Sequence, residues 1–319
     1  MSGALPELTV VLPGELPEMI SKTLQHLRVQ SARDRIEVLV VTPSIADLRL
    51  DQAAFDGLDA RIVEVGPIDR LSLALARGVR EARAPIVAMT EGHSYPEPEW
   101  AESHIRAHRN SWVAVGSAMG NANPDSLIGW ADLLIAFSRW VEPEGPAEMD
   151  ALPGHNTSYK RDALLEYGDE LEGLLETEIL LHWSLGAKGH RLYLEPAAKT
   201  MHLNVSEPWS WTKLRFIGGR VFAADRASGW RPLRRLTYVV GAPLIPFVRL
   251  WRMMPDLRRV APRSSLMPRV LPALVAGLAV EALGEMVGYA IGVTSATRKP
   301  IDVELNRDRH VRGLSRREA

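Results

Sequence analysis

The chain has 319 residues, 46% hydrophobic and 24% charged, which is ample for a sizeable core and excludes wholesale disorder. It contains no cysteine, so disulfides, zinc ribbons, iron–sulfur sites and cysteine nucleophiles are excluded together. The net charge of -1 hides an asymmetry: residues 1–205 carry 18 Lys+Arg against 30 Asp+Glu, whereas residues 206–319 carry 20 against 9, so the second part is expected to face something anionic.

The segment Met1 to Pro13 has neither the basic start nor the apolar run of a signal peptide, and export is not expected. A β-branched run at 8–12 stops at Pro13-Gly14. A helix follows with Met19, Ile20, Leu24 and Leu27 on one face. Residues 36–41 form an almost continuous apolar strand, the pattern of a strand buried on both faces of a parallel sheet. Strands at 61–65 and 86–90 flank a helix over 70–83, and this β-α-β rhythm predicts a doubly wound sheet with ligands at the carboxyl ends of its strands. Farther on, the pattern predicts a helix at 98–109, a strand at 112–117, a Gly/Asn/Pro loop at 120–124 and an apolar helix near 126–140. A loop then a strand is predicted over 153–159, and a helix over 176–188 ended by Gly189. Beyond 206 the composition turns to Trp, Arg, Pro and long apolar stretches, and residues 294–319 read as a polar, frayed tail.

Glu91-Gly92-His93 directly follows the fourth predicted strand, placing an oxygen and an imidazole ligand close together where α/β sheets bind ligands. The glycine between them lets backbone approach a ligand. The reading without function is a solvated turn. His104 and His108, four apart on a helix, read as a solvated face rather than metal ligands. Trp209 and Trp211 read as interfacial or core aromatics before they read as a sugar platform.

The order of segments resembles the inverting nucleotide-sugar glycosyltransferases of family 2, from about Leu8 to Gly292. The resemblance is carried by Glu37-Val38-Leu39-Val40-Val41, by Arg77-Gly78-Val79-Arg80-Glu81-Ala82 and by Pro96-Glu97-Pro98-Glu99-Trp100. It continues through Gly154-His155-Asn156-Thr157-Ser158-Tyr159-Lys160-Arg161, Glu176-Thr177-Glu178-Ile179-Leu180-Leu181, Phe216-Ile217-Gly218-Gly219-Arg220 and Ala282-Leu283-Gly284-Glu285-Met286-Val287-Gly288-Tyr289, the last typical of membrane-associated bacterial members. It implies a mixed α/β nucleotide-diphospho-sugar transferase domain over 1–205, a helical Arg-rich membrane-docking region over 206–292 and a polar tail over 293–319. The family's Asp-x-Asp metal motif falls on Glu91-Gly92-His93, and His202 matches a histidine after the next strand. The resemblance therefore implies Glu91, His93 and His202 as ligands of a divalent metal, Mn²⁺ or Mg²⁺, with the imidazoles favouring Mn²⁺. Pro13, Arg77, Gly92 and Asn156 are the implied donor-binding positions. His155 and Asn156 hydrogen-bond acceptor or donor sugar, or else stabilise their own turn.

Counting back from Gly189, the family's catalytic Asp aligns with Glu178, the implied general base. Its place near a helix start favours the ionised form. Glu176 is the second choice and reads as a solvated helix-start residue. The usual Asp after the second strand is replaced by Thr42-Pro43-Ser44, and the family's processive Gln-x-x-Arg-Trp is missing, which favours transfer of one sugar over polymerisation.

Nine arginines lie between 231 and 269, at 231, 234, 235, 249, 252, 258, 259, 263 and 269, against the single acid Asp256. They border two apolar stretches, 236–248 and 270–280, each too short to span a bilayer alone and so expected to lie on an anionic membrane surface. Nucleic acid is not an expected partner, because long aliphatic runs separate the arginines. The expected partners are a nucleoside-diphosphate sugar donor and a lipid-linked or glycan acceptor, at the cytoplasmic face of a bacterial inner membrane. The rival from another class is a catalytically silent, membrane-bound scaffold that keeps the fold. A nucleotidyltransferase on a similar sheet lacks its early Gly-rich phosphate loop here.

Overall fold

The structure, a computed structural model, describes residues 5–48, 50–260, 267–294 and 301–313. Arg263, and residues 295–300 and 314–319 of the expected tail, lie outside the described residues. Packing divides the chain into two compact units: Met1–Gly120 with Glu142–His202 and Glu304–Asn306, and Asn121–Val141 with Leu203–Val303 and Arg307–Ala319. This differs from a linear cut at 205. The apolar helix near 130 contributes Ala131, Leu134 and Ile135 to a core with Trp211, Leu274 and Leu278, so it belongs to the second unit despite its place in the sequence.

The first unit opens with β1 (Leu8–Pro13), α1 (Pro17–Arg28), β2 (Ile36–Thr42), α2 (Ile45–Leu48), β3 (Asp59–Glu64), α3 (Leu71–Glu81) and β4 (Ile86–Met89). It continues with β5 (Ser94–Pro96), α4 (Trp100–His108) and β6 (Ala114–Asn121), of which Asn121 is already assigned to the second unit. After α5 (Leu127–Phe137), which lies in the second unit, come β7 (Ala147–Met149), β8 (Thr157–Lys160), α6 (Arg161–Leu165), α7 (Glu170–Glu176), α8 (Glu178–Ala187) and β9 (Leu192–His202). The strands form one mixed sheet in the order β3-β2-β1-β4-β8-β6-β9-β5, with β7 paired to β9. Its first four strands are parallel, and β8 joins β4 antiparallel.

Every residue of β1 and β2 is buried, as inner strands of a parallel sheet require. Pro17 starts α1 with its φ already set, and Met19, Ile20, Leu24 and Leu27 face the sheet. The Gly/Asn/Pro segment expected as a loop from 120 begins two residues later, because Gly120 and Asn121 finish β6.

Two sequence expectations are corrected in this unit. His104 and His108 are buried rather than solvated. Ser158 Oγ lies 2.7 Å from His104 Nδ1 and 2.9 Å from His108 Nε2, while Ser117 Oγ takes the indole N–H of Trp100 at 2.9 Å. Glu176 does not begin a helix. It ends α7, buried, and accepts a hydrogen bond from Ser72 Oγ at 2.7 Å. All three residues look solvent-facing in the sequence because their polar partners are serines on distant elements.

In the second unit, α9 (Pro208–Arg226), α11 (Ile245–Val260) and α12 (Met267–Ile291) pack with α5, and Tyr238 and Val239 of α10 (Pro232–Gly241) pack against Ala223 of α9 and Tyr289 of α12. The last helix, α13 (Ile301–Leu305), follows. The stretch expected at 270–280 is the N-terminal half of a much longer helix. Pro268–Ile291 is 24 residues, long and apolar enough to cross a membrane by length and composition, with 39% of its most apolar window buried. Glu281 does not end it, because the Arg249 guanidinium meets that carboxylate at 2.7 Å and Arg215 meets it at 3.6 Å. Close approach to α9 is set by glycines: a Cβ on Gly284 stands 2.0 Å from the Phe216 carbonyl oxygen, and one on Gly288 stands 2.3 Å from that of Arg220. Trp211 is buried, in keeping with core packing, whereas Trp209 is exposed.

Burial pushes His104 down to about 3, with His108 adding to the effect, and pushes His108 and His182 down to about 4, from the ordinary imidazole value of 6.5. Each is therefore neutral when folded and takes up a proton on unfolding in mildly acid solution. A depressed folded pKa gives stability that is present above pH 6.5 and is lost as pH falls from there through the folded values. Near pH 5 these three groups steepen the loss by about 1.4 kcal/mol per pH unit each. Urea midpoints measured between pH 7 and pH 4.5 should fall accordingly, and His108→Gln should flatten the slope by about one proton. Equal midpoints at pH 7 and pH 5 refute the neutral assignment.

Candidate metal centre

β4 ends at Met89, and the chain turns sharply through 91–94, where Ser94 N–H donates to the Glu91 carbonyl at 3.1 Å. Thr23 on α1 pins this turn by donating its hydroxyl to the Gly92 carbonyl at 3.0 Å. A Cβ on Gly92 meets Met19 Cβ at 3.2 Å, so the glycine allows close packing against α1. β5 then pairs antiparallel with β9, setting Ser94 opposite His202. That register carries His202 to the turn across more than a hundred residues of sequence.

The result is a buried cluster. Glu91 Oε2 stands 3.3 Å from His93 Nε2 and 3.6 Å from His202 Nε2, and one ligand atom from each of the three residues lies within 4.8 Å of the others. The imidazoles of His93 and His202 meet edge to face at 5.0 Å between centroids. Donors bound to one ion at about 2.1 Å stand roughly 3–3.5 Å apart, so the spacing fits a single cation. One carboxylate oxygen and two imidazole nitrogens suit a borderline ion such as Mn²⁺ better than Mg²⁺. The site thus passes on spacing, burial and donor chemistry.

The second oxygen of Glu91 is occupied. His155, in the tight turn Gly154–Asn156, places Nδ1 2.7 Å from Glu91 Oε1 and Nε2 against the carboxylate of Glu178. Glu178 is the first residue of α8, and Gly189 at φ 85 follows that helix, so the helix lies two residues inside its expected start. Gly154 makes room for this contact: at φ 26, its Cβ position is 3.2 Å from the Glu178 carboxyl carbon. Burial alone would raise Glu91, but His93 and His155 outweigh it and hold the acid well below the usual carboxylate range. Burial would likewise lower His155, yet Glu178 and Glu91 raise it to about 10, making it an imidazolium between two carboxylates.

Of the expected donor-binding residues, Pro13 closes β1 at the carboxyl end of the sheet, and the next amide, Gly14 N–H, donates to the Val41 carbonyl at 3.0 Å. Asn156 is buried in the His155 turn, and its side-chain Nδ2 has no hydrogen-bond partner among the described residues, so an unsatisfied donor sits beside the site. Arg77 is not recruited in this way. Its side chain is 51% exposed and pairs with Glu81 at 2.7 Å along α3, so the helix surface accounts for it. His155 was open in the sequence between sugar contact and turn; the structure sets it between carboxylates instead. Glu304 lay in the expected tail, yet its Oε2 stands 3.9 Å from His93 Nε2.

No protein-family model matches the chain, and no curated protein matches it. Among solved structures it is similar to TarS of S. aureus, at TM-score 0.47 and 14% identity over 88% of this chain. The chain spans 55% of the length of that protein. It is also similar to TarS 1–349 in complex with UDP, at TM-score 0.48, 15% identity and 90% of this chain against 92% of that one. The mannosyltransferase PcManGT from Pyrobaculum calidifontis, in complex with GDP-Man and Mn²⁺, gives TM-score 0.47, 18% identity and 92% against 87%.

The cluster makes its own prediction. Titrating Mn²⁺ into the protein by calorimetry should give one site, lost in Glu91→Gln and weakened at least about tenfold in His93→Ala and His202→Ala. His190→Ala, outside the cluster, should bind like wild type. Equal affinity in all four variants places any Mn²⁺ elsewhere.

Proposed function

We propose that this chain is a metal-dependent inverting glycosyltransferase that moves one sugar from a nucleoside-diphosphate donor to a lipid-linked or membrane-proximal acceptor. The observation that carries this reading is the buried Glu91, His93 and His202 donor set at the carboxyl end of β4, joined through His155 to the carboxylate of Glu178. Open α/β sheets bind ligands at that end. Glu91, His93 and His202 would hold the cation, which when bound offsets the negative charge of a leaving diphosphate. Pro13 and the buried amide of Asn156 are the proposed donor contacts.

Glu178 is the proposed base. His155 orients its carboxylate from one side, and the absence of a side chain at Gly154 leaves it space from the other. The carboxylate takes the proton of the acceptor hydroxyl as that oxygen attacks the anomeric carbon from the face opposite the diphosphate. Glu176 is a poor rival, since it is buried and bound to Ser72.

Support for a membrane-proximal acceptor comes from the second unit. Phe247 and Trp251 on α11 are 71% and 75% exposed, and Leu233, Leu236, Val240 and Leu244 lie open before them. An apolar cavity of about 350 Å³ opens among Pro246, Phe247, Leu250, Val275, Leu283 and Met286. Such a patch marks a contact site, and the exposed Arg234 on α10 and Arg252 and Arg258 on α11 suit it to anionic lipid, whereas Arg249 and Arg259 are held by Glu281 and Asp256. The cytoplasmic face of a bacterial inner membrane is the proposed location.

Two experiments test the reading. Glu178→Gln should lower release of nucleoside diphosphate in the presence of lipid extract by about 10²–10⁴-fold with donor binding nearly intact, and Glu176→Gln should be mild. Full activity in Glu178→Gln removes this residue from catalysis, and a silent wild type across a donor screen favours a scaffold. Separately, the protein should co-sediment with anionic vesicles more than with neutral ones, less so at high salt and less after Phe247→Ser with Trp251→Ser. Indifference to lipid charge and to both substitutions refutes docking by this face.

A further inference from the structure

The metal reading leaves one acid unexplained. Glu304 follows the segment 295–300, in a part of the chain whose polar composition gives no sign of a site. Residues Glu304–Asn306 nevertheless pack into the first unit, with Leu305 and Asn306 buried. The Glu304 side chain is 10% exposed, and its Oε2 lies 3.9 Å from Nε2 of His93, the nitrogen that also faces Glu91 at 3.3 Å.

Building on the reading of Glu91, His93 and His202 as a metal centre, we propose that Glu304 is a fourth protein ligand of the same ion and that the ion fastens Glu304–Asn306 to the site. Three considerations carry this. The first is spacing: neighbouring ligands around a six-coordinate ion with bonds of about 2.1 Å stand roughly 3 Å apart and opposite ones roughly 4.2 Å, and the 3.9 Å to His93 lies between these values. Glu304 stands outside the set of three whose ligand atoms lie within 4.8 Å of one another, so its carboxylate draws in toward Glu91 and His202 as the ion binds. The second is charge. Imidazoles ligate in their neutral form, so Glu91 and Glu304 together balance one divalent cation inside a buried pocket. The third is direction, since the same ring nitrogen of His93 faces both acids, so an ion bound by that nitrogen lies on their side of the ring. Four protein groups leave a six-coordinate ion two positions for oxygens of a donor diphosphate. Binding of the metal and order of the C-terminal segment then become linked equilibria.

The experiment reads metal affinity and segment protection, not turnover. Mn²⁺ is titrated into the full chain by calorimetry, and each sample is digested with trypsin, with cleavage after Arg307 and Arg309 followed by mass spectrometry. Wild type should bind Mn²⁺, and Mn²⁺ should slow these cleavages. Glu304→Gln, nearly isosteric, should bind Mn²⁺ about 10–100-fold more weakly and lose the protection, while Glu304→Asp should recover part of both. If Glu304→Gln binds Mn²⁺ as tightly as wild type, or if Mn²⁺ leaves cleavage of the wild type unchanged, the proposal is overturned while the three-residue centre stands. If wild type binds no Mn²⁺ at all, the centre itself fails and the role of Glu304 falls with it. Circular dichroism of each variant separates these outcomes from misfolding.

Discussion

A carboxylate buried at the end of a β-strand must be matched on every side, and Glu91 is matched by histidines. His93 comes from the same turn, His202 from the β9 strand paired with β5, and His155 from the turn before β8. Much of the first unit serves this arrangement. The parallel strands deliver Glu91 to the carboxyl edge, Thr23 fixes the turn that follows, and the antiparallel β5–β9 register fixes His202. Losing one partner would leave buried charge uncompensated, which costs more than forming the pair gained. The cluster therefore constrains the fold as firmly as the fold constrains the cluster.

Histidine is the residue type that lets one cluster do both tasks. An arginine beside Glu91 would be a permanent cation, and it would repel a divalent ion from the same carboxylate. An imidazole is a neutral ligand in one state and a hydrogen-bonded cation in another. The two roles are divided here by position. His93 and His202 face the Oε2 oxygen of Glu91, which also accepts from Ser94 Oγ, and His155 holds the other oxygen and reaches Glu178. On the proposed reading, the His155 link between Glu91 and Glu178 would fix their separation, as a reaction needing leaving-group charge on one side and proton removal on the other requires.

The legible part of this site lay in short-range pattern. Glu91 and His93 follow an apolar strand directly and are marked by that pattern, whereas His202, at the end of β9, was marked by the family resemblance. The parallel half of the sheet was legible for the same reason, because β1 and β2 are unbroken apolar runs. Long-range polar contacts were not legible. His155 meets Glu91 across 64 residues, and Glu304 meets His93 from a stretch that reads as tail. The burial of His104 did leave a trace: it sits four residues after the buried Trp100 and next to the buried Ile105, on the apolar stripe of α4. Helical spacing alone shows that two histidines share a face, and only the stripe shows which face points inward.

In the second unit the sequence pattern fails for a deeper reason. α12 is apolar nearly all round, so periodicity cannot choose its buried side. The choice is made by size and charge. Gly277, Gly284 and Gly288 recur at spacings of seven and four, with Glu281 on the same side, and this is where the Phe216 and Arg220 carbonyls approach. Larger residues remain open elsewhere on the helix: Leu271, Val275, Leu283 and Ile291 are all exposed. Area burial in water favours the reverse, since covering a leucine is worth about 2 kcal/mol and a glycine has no side chain to cover. Small residues at helix contacts with large aliphatic ones outside are the pattern of helices that pack within lipid, where close backbone approach replaces the hydrophobic effect as the driving force. Leu274 and Leu278 are buried as well, against the core shared with α5 and Trp211, so the helix keeps one water-type contact beside the glycine seam. A helix with both kinds of contact is what the proposed docking would require, one face free to meet lipid and a core of its own behind it.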